Sequence, residues 1–142
     1  MKRKLFAPIL TALLIALAAP AAWAAPTASF RIRAEIDFDF FVGSKRLPKG
    51  DYNIESVNDS GLIRVTNAKS GKSATILAIR GKMTNKPKSK LQFRRYGDQY
   101  FLRKIWDGQN DILELDRSKA EKKAAKAIKG KEEDEGDEVD KG

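Results

Sequence analysis

The chain has no cysteine and no histidine among its 142 residues. The first absence rules out disulfides, thiolate catalysis and sulfur-ligated metals. The second removes the usual neutral-pH proton carrier and the commonest metal ligand. Catalysis would have to rest on a carboxylate pair or a Ser–Lys arrangement, and no serine stands in a nucleophile-elbow context. Asp37 and Asp39 are a close carboxylate pair, but they alternate with phenylalanines on what reads as the wet face of a strand. Asp134 to Asp140 lacks the alternating ligands, turn glycine and terminal glutamate of a calcium loop. The expectation is a protein that is not an enzyme, with no metal and no cofactor.

What is present begins with an export signal. Lys2, Arg3 and Lys4 precede an apolar run from Leu5 to Ala19. Pro20 ends it, and Ala22-Trp23-Ala24 sets small residues where a signal peptidase reads them. The run is short for a span of about 20 apolar residues. Residues 1–24 are therefore expected to be a cleaved signal peptide. The product would be periplasmic or extracellular, with no transmembrane span.

Charge falls in blocks. Residues 25–117 carry 18 Lys/Arg against 11 Asp/Glu; 118–131 hold six lysines and one glutamate; 132–142 hold seven acids and one lysine. A basic exported domain suits anionic partners, and a solvated surface accounts for the composition equally well.

From Phe30 to Phe40 the even positions are Phe, Ile, Ala, Ile, Phe, Phe and the odd ones Arg, Arg, Glu, Asp, Asp. That period of two predicts a strand with one buried and one wet face, bent or bulged at Phe41 where the alternation breaks. Turn signals follow at 42–46, Leu47-Pro48-Lys49-Gly50, Asn58-Asp59-Ser60-Gly61 and 67–71, with a tight hairpin at Tyr96-Gly97-Asp98-Gln99-Tyr100. Strands are expected from Tyr52, over Leu62–Thr66, Ala74–Ile79, Leu91–Tyr96, Tyr100–Trp106 and Ile112–Leu115. The fold class is all-β: a small antiparallel β-sandwich or barrel of about seven short strands over residues 25–117. Strict alternation places Tyr100, Leu102, Lys104 and Trp106 on one face, as core or as a stacking platform.

Phe41-Val42-Gly43, Leu47-Pro48-Lys49-Gly50-Asp51-Tyr52, Phe93-Arg94-Arg95-Tyr96-Gly97-Asp98-Gln99-Tyr100-Phe101-Leu102 and Trp106 together resemble a family of small exported bacterial proteins. It is frequent in acidobacteria and has no established activity. The resemblance covers roughly residues 36–125 and implies export and a β-fold. Members often carry histidine where this chain has Arg94, so it implies no activity here.

Ser118-Lys119-Ala120-Glu121 is a capping box, and it predicts a lysine-rich helix over 118–130 that docks weakly through alanines. Residues 131–142 have little to bury and read as a disordered acidic tail. The strongest electrostatic feature is the stretch holding Arg80, Lys82, Lys86, Lys88, Lys90, Arg94 and Arg95, without a single acid. Pro87 and Gly81 make its middle a loop, where converging cations could hold phosphate or sulfate groups. The leading functional expectation is a non-catalytic binding or adaptor domain of the cell envelope. Its partner would be an anionic component (polysaccharide or lipid headgroup) or an envelope protein; nucleic acid is the weaker candidate. The alternative is a structural or protein-interaction domain with no small-ligand site. The tail, tethered nearby, is expected to compete with external anions for the basic loop.

Overall fold

Alternating side chains build the first sheet of this structure, a computed structural model that describes residues 30–83, 88–109, 111–128 and 137–141. Strand β1 (Arg31–Ile36) turns Ile32, Ala34 and Ile36 inward and Arg31, Arg33 and Glu35 to solvent. The predicted strand is divided. The chain bends over 37–39 and resumes as β2 (Phe40–Val42). The bend is pinned by Asp39, which accepts the Lys49 backbone N–H and an Arg46 guanidinium N–H, both at 3.0 Å. Alternation therefore outlasts the strand, because the inward rhythm continues while the chain leaves one sheet for another.

A two-residue turn at Gly43-Ser44 joins β2 to β3 (Lys45–Leu47). The next turn leads to β4 (Gly50–Ser56), where the fully buried Tyr52 donates its hydroxyl proton to the Pro48 carbonyl. That contact explains the Leu-Pro-Lys-Gly-Asp-Tyr string: the proline sets the turn and the tyrosine ties it to the core. Strand β4 pairs antiparallel with β1 and with β5 (Leu62–Asn67), which pairs with β6 (Ser73–Lys82).

Strand β6 changes sheets along its length. Ser73–Leu77 face β5, whereas Ala78–Lys82 face β9 (Asp111–Leu115). Gly61 marks the changeover. Its carbonyl accepts the Ala78 N–H at 2.9 Å, its φ is +85°, and a Cβ there would lie 2.3 Å from the Ala78 oxygen. No other residue fits that approach.

Strand β9 pairs with the end of β8 (Gln99–Trp106), and β7 (Lys90–Tyr96) pairs along β8 through the expected hairpin. Gly97 has φ +60° and Asp98 does not, the signature of a type II′ turn. The start of β8 lies parallel to β2. The path β1-β4-β5-β6-β9-β8-β2-β3 thus returns, at β2, to the continuation of its first strand, which gives a small, mainly antiparallel β-sandwich with barrel-like closure. Its core holds Phe40, Tyr52, Ile54, Ile63, Val65, Leu91, Phe93, Ile105, Leu113 and Leu115, each at most 1% exposed.

Two expectations need correction. Residues 137–141 form β10 (Asp137–Lys141), an antiparallel strand on the outer edge of β7, and not a disordered tail. Main-chain pairing supplies what the acidic sequence lacks in apolar surface, and Val139 still reaches the core. There are ten strands among the described residues, against about seven expected, because a bend divides the first strand, β3 forms where turns were expected and β10 is added. The signal peptide and residues 129–136 lie outside the described residues.

Candidate anion-binding site

The described members of the seven predicted cations are spread over β6, β7 and the residues flanking the loop. Arg80, on β6, is ion-paired with Asp111 on β9 at 3.2 Å. Lys82 and Lys88 are exposed on either side of the loop, and Lys86 lies outside the described residues. Lys90 sits 4.3 Å over the ring of Trp106, which is buried. Arg95 donates from Nε to the Gly97 carbonyl at 2.9 Å and lies along Tyr100. Arg94 lines a cavity, and its companions there come from outside the loop.

That cavity forms on the outer face of the β7–β8 hairpin. A register shift at Gln92/Phe93 leaves Arg103 as an extra residue on β8, because Gln92 pairs with Lys104 and Phe93 with Leu102. The shift corrects the expected single face. Tyr100, Leu102 and Ile105 belong to the main core, whereas Phe101 packs outside it. Bulges commonly re-aim side chains in this way. Phe101 joins Tyr96 and the partly buried Phe41 in a second apolar cluster covered by α1 (Lys119–Ile128) through Ala120, Ala124, Ala125 and Ile128.

The helix is anchored more firmly than its alanines suggest. The Glu121 N–H donates to Ser118 Oγ at 3.1 Å, as the capping box predicts. The Glu121 carboxylate points elsewhere: its side chain is 2% exposed. Arg103 reaches both its oxygens at 3.0 and 3.2 Å, Tyr96 donates to Oε1 at 3.2 Å, and Arg117 Nε lies 3.7 Å away. Arg117 also donates to the Tyr96 hydroxyl at 2.7 Å. That bond, with Tyr96 and Glu121 as further electrostatic support, raises the Arg117 pKa above its already high ordinary value. Arg117 stays charged at every pH of interest.

Arg94, Tyr96, Arg103 and Arg117 line a cavity of about 180 Å³. The guanidiniums of Arg103 and Arg117 meet at the buried Glu121 carboxylate, and Arg94 lines the same cavity. The Arg103 Nε is buried without a hydrogen-bond acceptor. A water occupies about 30 Å³ of liquid, so the volume suits one carboxylate, phosphate or sulfate group. Guanidinium forks recognise such oxyanions in pairs of parallel bonds.

Sequence reasoning found Arg94 and missed Arg103, Arg117, Tyr96 and Glu121. Glu121 was read only as a cap, and the bulge that turns Arg103 outward has no sequence signature. Among the described residues no group of acidic side chains could hold a metal ion, and no helix is long and apolar enough to cross a membrane. No protein-family model, curated protein or solved structure matches the chain.

Proposed function

We propose that this chain is an exported, non-catalytic binding domain that holds an oxyanion group of an envelope component in the cavity of Arg94, Arg103 and Arg117. One observation carries this reading: Arg94, Arg103 and Arg117 line one small cavity, and the buried Glu121 holds Arg103 and Arg117 there. Tyr96 and Glu121 act as the positioning layer. Their bonds hold Arg103 and Arg117 in place before any ligand arrives, which reduces the entropy lost on binding. The lysines of the 82–90 loop would add long-range attraction, and salt would screen it.

The test is a titration with inorganic sulfate and phosphate, following the arginine Nε–H resonances by NMR. Selective, saturable shifts at Arg94, Arg103 and Arg117 are expected, lost in an Arg94→Gln/Arg117→Gln variant and kept when Lys82, Lys86, Lys88 and Lys90 become serine. Shifts spread evenly over all arginines would refute the site. Heparin and phosphatidylglycerol vesicles then separate a polysaccharide source from a lipid one.

A second reading has its own observation. Leu77 and Ile79 are 65% and 63% exposed on the outer face of β6, beside the half-buried Leu62. Such an apolar stripe suits a protein-interaction domain. Binding through it would survive high salt, whereas binding through the arginines would not.

A further inference from the structure

Among the described residues β10 covers the outer edge of β7, and the ladder runs from Asp137 opposite Arg95 to Lys141 opposite Leu91. Leu91 and Phe93 are core residues, so positions 137, 139 and 141 share the inner face of the sheet, while 138 and 140 share the face of Arg94 and Gln92. At those three inner positions the tail offers an aspartate, a valine and a lysine. Val139 packs against the core. Lys141 reaches out to Asp37 at 2.8 Å and lies 5.6 Å over the Phe38 ring. Main-chain pairing, the Val139 side chain and the Lys141–Asp37 ion pair all hold the strand.

We infer that the β7 edge is a docking site for an extended, acidic segment of a partner protein, and that β10 is its tethered, replaceable stand-in. Main-chain pairing would supply the affinity and the alternate side chains the selectivity, as in strand addition to other open sheet edges. Two features define the partner. Acids at the positions of Glu138 and Asp140 would lie on the Arg94 face, where opposite charge favours pairing. Apolar residues at the positions of Asp137 and Lys141 would extend the contact that Val139 makes alone. The tail's advantage is its attachment: α1 ends at Ile128 and β10 starts at Asp137, so the connection is short and the effective concentration high. A free strand must therefore bury more apolar surface than Val139 does. This inference rests on the edge and its ladder; it shares Arg94 with the proposed cavity and does not require an anion to bind there.

The experiment uses the full chain and two labelled peptides, one with the sequence of residues 131–142 and one carrying Asp137→Ile and Lys141→Ile. Val139→Asp in the protein should release the tail; Val139→Ser is the milder second variant. The isoleucine peptide is expected to bind wild-type protein, and either tail-release variant should bind both peptides at least about tenfold more tightly as the tether's competition disappears. Hydrogen exchange should show the amides of 91–95 protected by peptide in the released variant. The inference is overturned if a scrambled peptide binds equally well. It also fails if neither peptide binds a released variant whose thermal melt shows the β-fold intact. Concentration-dependent dimers that peptide cannot dissolve would assign the edge to exchange between copies, and would equally overturn it.

Discussion

Helix α1 and strand β10 are neighbours in sequence and both cover β7, yet they are held by opposite means. The helix lies on the outer face and is held by side chains: the buried Ala124, the partly buried Ala120, Ala125 and Ile128, and a glutamate that shares its charge among Arg103, Arg117 and Tyr96. The strand lies on the edge and pairs main chain, with Val139 as its one side chain in the core contact. A buried, multiply bonded group is costly to disturb, because removing it strands its partners. An edge ladder can be exchanged for another strand or for water at little net cost. The helix therefore belongs to the fold, and the strand to its adjustable surface.

The sharpest way to break this contrast is Glu121→Ala. Arg103 and Tyr96 would lose their shared acceptor, and the expected cost is about 3–5 kcal/mol of global stability, read from chemical denaturation. A loss under about 1 kcal/mol would make the helix as peripheral as the strand. Ser118→Ala should follow at about 1 kcal/mol, since it removes the acceptor of the Glu121 N–H at the helix start. Its effect should appear as fraying of 118–121 in hydrogen exchange, with β10 unchanged.

The smallest effect concerns pH and belongs to β10. The Lys141 ammonium, hydrogen-bonded to Asp37, holds that carboxyl below its ordinary 3.8, with its own backbone as a secondary cause. A depressed acid stabilises the state in which it is ionised. Its contribution is complete above the ordinary value and lost as pH falls through the lowered one. Protection of the 137–141 amides should thus be constant from neutral pH to roughly pH 5 and weaken only in stronger acid. Asp37→Asn should show the weakened state at neutral pH. Equal protection in the variant and the parent chain would mean that the ladder holds β10 without the ion pair.

Much of the architecture was legible before any coordinates. The hairpin at Gly97, the strands over 62–66, 91–96 and 100–106, and the capping box at Ser118 all appear where local chemistry placed them. Each depends on neighbours within a few residues: alternation, a glycine at positive φ, a hydroxyl three positions before an amide. The candidate site was much less legible. Counting cations pointed to the loop between Arg80 and Arg95, but Arg80 is taken up by Asp111 and Lys90 lies over Trp106.

The sequence alone determined a β-rich domain, its principal turns and a helix beginning beside Ser118, because these follow from short-range periodicity and turn stereochemistry. Tertiary structure alone decided that β6 is shared between sheets, that Arg103 faces outward, that Glu121 is buried and that an acidic tail strand closes the β7 edge. Each of these joins residues far apart in the chain. Whether a charge is solvated, paired or aimed at a cavity depends on which distant side chain arrives opposite it, and local pattern carries no record of that.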